Sequence, residues 1–363
     1  MGAEQNLQQV SDLTVSPKRT SRMNITNATK NQHYVSQAEL RLNSCNPNAK
    51  LQNRKIHAFD IIDREQYKIT LCAKNGSPVR SNLSLDDLFS FDVVDGKIRA
   101  NFESLFNAYE ARIEGHSHSL LSKLQVGNSD VSEDLLYLFT SKLLNSFRNP
   151  HCIQKTINTI GTLANYYPLD TELADVCARI EAGRRPQQEH LCSQLEITDQ
   201  LYMQWLKTLF MLLMRPRSHE PNILESLVKS IYDNESLHLA AFIFTYTGEH
   251  ADKRPLLSDR SFSSPIADDS CLAYSFNLCG HAFISYAFTH LEKQSFLKVP
   301  ERMVQIFKKS QKQINVSIIN NDLIALTSYN KNTIYQSKCK VYCSSSLVYG
   351  ANVRTAKTAQ PPL

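Results

Sequence analysis

Glycine is scarce in this chain: ten are spread over 363 residues and nowhere do they cluster. That excludes the glycine-rich phosphate loop and the dinucleotide-binding fingerprint, which need closely spaced glycines to bring the backbone up to a phosphate. The Gly-x-Ser-x-Gly elbow of serine hydrolases, the His-Glu-x-x-His zinc helix and any Cys-x-x-Cys pair are also missing. Long apolar runs are absent too. The most apolar stretch, residues 201–214, contains Lys207 and falls short of the ~18–20 residues that span a bilayer, so it reads as a buried helix and no membrane partner is expected. The first thirty residues hold no apolar signal-peptide core, and Asn6 stands where a myristoylation site beginning at Gly2 wants Ser or Thr. A cytoplasmic protein is expected. Its nine cysteines, odd in number and scattered, then read as reduced thiols.

What is present is enough apolar residue, 42%, to bury a core, which excludes wholesale disorder. The formal charge of +5 is unevenly placed: from Lys331 the chain has Lys331, Lys338, Lys340, Arg354 and Lys357 and no acid, so this end carries the whole surplus. Residues 1–32 are rich in Ser, Thr, Asn and Gln and read as a mobile arm. Three parts are expected: this polar arm, one large domain over 33–343 with a sub-boundary near 184–198, and a basic flexible tail over 344–363.

Within the domain, Ser36 and Glu39 have capping-box spacing and predict a short helix carrying Leu40 and Leu42. Residues 55–62 and 67–71 predict a hairpin. Phe102, Leu105, Phe106, Tyr109 and Ile113 recur at helical spacing, and that helix is expected to run on through Gly115 to Leu124. Further helices are predicted over 131–147, ended by Asn149-Pro150, and over 171–182, 200–214, 222–232 and about 301–315. Residues 241–247, 271–288, 333–337 and 340–342 are β-prone. The fold class is α+β, helix-rich in the middle, with small β elements near the N-terminal and C-terminal parts.

Few residues point to chemistry directly. Cys271, Cys279 and His281, with His250 upstream, are the most metal-like set, but their spacing matches no zinc knuckle; they read as buried thiols and core histidine. Cys339 and Cys343 add ligands only by folding back. No metal and no other cofactor is expected. His116-Ser117-His118 lies on a predicted helix, where neighbours at i and i+2 diverge by ~200° and cannot hold one ion. It reads as solvated surface.

The run Asn31-Gln32-His33-Tyr34-Val35-Ser36-Gln37, followed by Leu40-Arg41-Leu42, resembles the opening His-Tyr-Val-Pro-Gln signature of the bacterial domain-of-unknown-function family 4238. Later segments keep the same order: a Glu-containing helix around 110–114, a helix ending in Arg148-Asn149-Pro150, a Ser-Asp turn in Leu257-Ser258-Asp259-Arg260, and a closing segment with Asn321, Leu323-Ile324 and Tyr335-Gln336-Ser337. The likeness covers residues 31 to 343. Ser36 stands where the family has Pro, and both suit a helix start. Arg260-Ser261 replace the residues that usually end in Pro after the turn, which puts a rigid-turn role in doubt. The family implies no established reaction; its members resemble proteins of bacterial chromosomes and of mobile or defence-associated regions.

The matched polar residues are His33, Gln37, Arg148, Ser258, Asp259 and Asn321. Converging, they would supply a base (His33), an orienting carboxylate (Asp259), an anion clamp (Arg148) and amide hydrogen bonds (Gln37, Asn321). Such a set suits phosphoryl or glycosidic chemistry. Structural roles stay open for all of them: His33 bonding a turn, Arg148 and Asp259 forming an ion pair, Asn321 satisfying backbone in a corner. Two functions follow. One is a bacterial enzyme, a defence-associated effector or toxin acting on nucleic acid or nucleotides; the other is a non-enzymatic module that binds a protein partner or regulates it.

Overall fold

A computed structural model of the chain describes residues 25–355 apart from 95, 128–129, 216–219, 268–269, 291–301 and 303–313. In chain order the described elements begin with β1 (Asn31–His33), α1 (Gln37–Leu42), β2 (Lys55–Asp63), β3 (Lys68–Leu71), β4 (Ser77–Pro78), β5 (Ser84–Asp86), β6 (Ser90–Val94) and β7 (Ile98–Asn101). The helical middle follows: α2 (Glu103–Glu110), α3 (Ile113–Gln125), α4 (Ser132–Phe147), α5 (Ile153–Ile160), α6 (Thr171–Ala182), α7 (Gln188–Leu195), α8 (Asp199–Leu213) and α9 (Ile223–Asp233). The remainder is β8 (Leu237–Thr245), β9 (Leu257–Ser258), β10 (Ser263–Ala267), β11 (Cys271–Cys279), β12 (Ala282–His290), β13 (Asn315–Asn320), α10 (Leu323–Gln336), β14 (Lys340–Cys343) and β15 (Asn352–Thr355). This is the α+β class that the sequence predicts. No helix among the described residues is long and apolar enough to cross a membrane.

The chain divides into two compact units, each drawn from separated stretches. Unit 1 takes Met1–Tyr34, Leu85–Arg112 and Phe139–Ser230; unit 2 takes Val35–Ser84, Ile113–Leu138 and Ile231–Leu363. The stretch 184–198, marked in the sequence as a sub-boundary, lies inside unit 1. A change of composition along the chain does not register which distant stretches pack together.

Unit 1 is organised on α8, the apolar stretch expected to be a buried helix. Trp205, Leu206, Leu209 and Phe210 are fully buried. Its polar atoms are satisfied: Trp205 Nε1 donates to Phe147 O at 2.8 Å and the Tyr202 hydroxyl to Leu88 O at 2.7 Å. Phe89 and Phe91, at the antiparallel β6–β7 hairpin, pack on Phe106 and Phe102 at the start of α2. The described part of the supposed arm is packed in place: Ile25 is buried, its carbonyl accepts from Asn101 N at 2.9 Å, and Asn27 N donates to Arg99 O at 3.0 Å. One apolar residue and the free edge of β7 are enough to bind a polar segment.

Unit 2 holds two sheets. In the order β10-β11-β12-β8-β13 the pairs are antiparallel except β13, which lies parallel to β8. The second sheet runs β15-β3-β2-β14-β9, with β4 beside β2. The expected 55–71 hairpin is its β2–β3 pair. The tail is also ordered as far as it is described: β15 pairs parallel with β3 and Val348 is buried. Residues 333–337, predicted extended, instead end α10. That helix starts at an Asp322 cap and buries Leu326, Tyr329, Asn330, Thr333 and Ile334, a helical period that β-branched Thr333 and Ile334 obscure. The helix predicted to run through Gly115 breaks at Ala111 and Arg112, between α2 and α3. The helix expected near 301–315 falls mostly on residues outside those described, and its expected last residue, Asn315, instead begins β13.

Candidate functional site

Helix α2 carries two carboxylates on one stripe. Glu103, Phe106 and Glu110 follow i, i+3, i+7 spacing, which puts them on one face with the glutamates about 10 Å apart along the axis. Buried Phe106 meets Phe89 at 4.8 Å and Phe102 at 6.2 Å between ring centres, which fixes the rotation of the helix. Both ends of α2 are tied down within unit 1. Asn101 Oδ1 accepts from Glu103 N at 3.1 Å; the Tyr109 hydroxyl donates to Glu225 Oε1 at 2.9 Å and accepts from Asn222 Nδ2 at 2.6 Å.

Arg148, the residue after α4, lies over this stripe with its guanidinium carbon 4.7 Å from the Phe106 ring centre. Its side chain is 1% exposed. Nη2 pairs with Glu110 Oε1 at 2.5 Å and donates to Asn145 Oδ1 at 2.8 Å. Arg148 Nε and Nη1 and Glu103 Oε1 are also buried, and none of the three has a hydrogen-bond partner among the described residues. Each such orphan costs about 1–3 kcal/mol. Three of them on two side chains that act on each other electrostatically make this cluster the candidate site.

Burial pushes the Glu103 carboxyl up to about 7; the Arg148 charge pulls against that rise and the Glu110 charge adds to it. The group therefore changes protonation near neutrality, as a general acid or base must. Glu110, 24% exposed, is where the cluster meets solvent.

His33 and Arg148 fall in the same unit. His33 is buried on β1, and its neighbours are tied to the surroundings of Arg148. Gln32 Oε1 accepts from Phe89 N, Gln32 Nε2 donates to Ser90 Oγ at 2.9 Å, and Tyr34 meets His151 edge-on at 5.6 Å. The turn carrying Arg148 is built as the sequence suggests, with Asn149 Oδ1 accepting from His151 N at 2.9 Å and Pro150 opening the next helical turn.

The other four residues belong to unit 2. Gln37 is the first residue of α1, behind the Ser36 cap, whose Oγ accepts from Ala38 N. The buried Asp259 carboxylate accepts the backbone N–H groups of Lys338, Cys339 and Lys340 at 2.6–2.9 Å. Ser258 Oγ lies 2.7 Å from Ser337 Oγ and accepts from Arg260 N at 3.0 Å. The Ser-Asp turn thus fastens the link between α10 and β14. Asn321, at φ +60°, accepts from Thr247 N at 3.0 Å through Oδ1 and donates its own N–H to Thr245 O at 2.8 Å, holding a corner.

Two features were missed or misjudged from the sequence. Glu103 was overlooked because an acid in the first helical turn is an ordinary preference. His116, read as solvated, is largely buried: Nδ1 lies 2.7 Å from Asp134 Oδ1 and the ring stacks on Tyr137 at 4.1 Å. Asp134 also accepts from Ser119 Oγ at 3.0 Å and Lys123 Nζ at 2.9 Å, which clamps α3 to the start of α4. The hydrogen bonds and the Lys123 charge hold its carboxyl below the usual range against the opposing effect of burial. Among the described residues no group of three or more His, Cys, Asp or Glu could hold a metal ion. Cys279 lies 3.5 Å from His281 Nδ1, with its thiol pushed up to about 11 by burial. No family model matches this chain, and no curated protein or solved structure matches it either.

Proposed function

We propose that this protein is an enzyme acting on nucleic acid or nucleotides, with its chemistry in unit 1. Arg148 clamps an anionic group and Glu103 exchanges the proton. The observation that carries this reading is the buried Arg148 guanidinium, with Nε and Nη1 unpartnered among the described residues, beside the half-buried Glu103, whose carboxyl burial pushes up to about 7. Membership of family 4238, a cytoplasmic setting and a defence or toxin role complete the proposal. Its support is the order of matched segments in the sequence.

The test is expression of the intact chain beside Glu103→Gln in a bacterial host, scoring growth and nucleic-acid integrity, with both purified chains incubated with nucleotides, RNA and DNA. The intact chain is expected to convert a substrate that Glu103→Gln leaves untouched at equal protein level. Equal behaviour of the two chains would sink the reading.

A specific surface favours the second reading. Tyr166, Tyr167 and Leu169, before α6, are 64%, 53% and 103% exposed, a concentration of apolar surface that suits a partner protein. If Glu103→Gln changes nothing while Leu169→Asp abolishes a phenotype of the intact chain, the protein is a binding module.

A further inference from the structure

One carboxylate in unit 2 touches both a thiol and an amine. Strand β2 lies between β3 and β14, and Asp60 stands opposite Thr70 on one side and Lys340 on the other. The row beside it, Phe59 with Leu71 and Val341, is buried in the core. Alternation then puts Asp60, Lys340 and Cys72, two residues beyond Thr70, on the opposite face of the sheet. There the three side chains meet. The Cys72 thiol donates to Asp60 Oδ2 at 3.3 Å, Lys340 Nζ pairs with Asp60 Oδ1, and Nζ also donates to Cys72 Sγ at 3.6 Å. Solvent reaches all of them: Cys72 is exposed, and the side chains of Lys340 and Asp60 are 40% and 50% exposed.

We infer that Cys72 and Lys340 form a peroxide-dependent covalent cross-link, a sulfenamide joining Sγ to Nζ. The inference goes beyond the reading of unit 1 and does not depend on it. In the first step Sγ attacks hydrogen peroxide: an S–O bond forms, the O–O bond breaks, and the products are a sulfenic acid and water. In the second the Lys340 amine attacks the sulfenic sulfur; the S–N bond forms, the S–O bond breaks, and the hydroxyl leaves with a proton as water. Sulfur is oxidised by two electrons and the peroxide is reduced by two. The protein loses one hydrogen from sulfur and one from nitrogen.

Asp60 is what makes this pair differ from a thiol that happens to lie near a lysine. Partial desolvation of the sulfur and the Asp60 carboxylate push the Cys72 thiol up, so it rests protonated, and Lys340 rests as the cation paired with Asp60. Each must lose a proton before it can act as a nucleophile. With one oxygen on each partner, Asp60 accepts the thiol proton in the first step and the ammonium proton in the second, and half-exposed it passes both to water. The link would tie β3 to β14 across β2, joining residues 268 apart in the chain. Closing so long a loop restricts the unfolded chain and favours the folded one.

The full chain is treated with hydrogen peroxide, its remaining thiols are blocked with N-ethylmaleimide, and the product is mapped by proteolysis and mass spectrometry. The expected product joins the Cys72 and Lys340 peptides at two hydrogens less than their sum, carries a blocked Cys339, unfolds at a higher urea midpoint, and is opened by dithiothreitol. Lys340→Arg keeps the cation without a nucleophilic amine; it should form no link and should leave a Cys72 sulfenic acid that dimedone traps. Asp60→Asn should link at least about tenfold more slowly, because an amide takes up no proton. No link in the intact chain, a link that survives in Lys340→Arg as a disulfide to Cys339 would, or a linked product that keeps an oxygen of the peroxide would each overturn the inference. Equal linking rates in Asp60→Asn would overturn the role given to Asp60.

Discussion

Glu103 is a carboxyl held where its charged form is disfavoured, and the sign of its effect on stability follows. Its folded pKa is raised from 4.5 to about 7, so between those values the folded chain binds more protons than the unfolded one. Stability from this group is fully present below about 4.5 and is lost as pH rises through about 7. Glu103→Gln is therefore expected to be more stable than the intact chain at pH 8, by about 1–3 kcal/mol, and indistinguishable at pH 4. Urea denaturation at the two pH values checks this; equal stability at pH 8 would mean that the carboxyl is not desolvated. Arg148 behaves oppositely. Its cation already pairs with Glu110 and covers Phe106, so Arg148→Ala should cost about 3–5 kcal/mol, read as a lower urea midpoint. Of this pair only Arg148 was visible in the sequence, through the family resemblance. Glu103 was not, because its significance depends on what buries it.

Secondary elements were legible wherever their period was strong. Helix α6 occupies the predicted 171–182 and α8 lies within one residue of the predicted 200–214, since caps and apolar spacing agree there. Where they disagreed the reading failed: Thr333 and Ile334 signal strand by residue type, yet the Asp322 cap and the buried face of α10 prevail. The join between α10 and β14 depends on Asp259. A carboxylate can accept three N–H groups in one turn, whereas an amide must present its own NH₂ to one of them. Asp259→Asn is accordingly expected to cost about 3–5 kcal/mol, with hydrogen bonds to a charged group worth roughly 1.5–3 kcal/mol each, against about 1 kcal/mol for Ser258→Ala. Thermal or urea unfolding separates the two. Similar small losses for both would show that the backbone turn holds without the carboxylate.

At the scale of the whole chain, the division into two units was not legible, because each is assembled from three separated stretches. The excess charge misled in a related way. It gathers after Lys331, which suggested a solvated basic tail, but some of those cations are engaged in unit 2: Lys340 pairs with Asp60, and Lys331 lies over the Tyr67 ring at 5.0 Å. The described tail contributes to the core instead. Val348 is buried with Phe59, Ile69, Leu71, Leu256, Ile334, Val341 and Cys343, and Val353 packs against the same cluster. Ending the chain at Cys343 removes both valines and the ladder of β15 on β3. Burial of one such side chain is worth ~1.5–3 kcal/mol, so the shortened chain should lose about 3–5 kcal/mol, seen as a lower urea midpoint. Neutralising the exposed Arg354 in place, as Arg354→Gln, should leave the midpoint within about 0.5 kcal/mol, as surface substitutions generally do. The reverse pattern, a harmless truncation with a costly neutralisation, would make this end an electrostatic arm, as its composition first suggested.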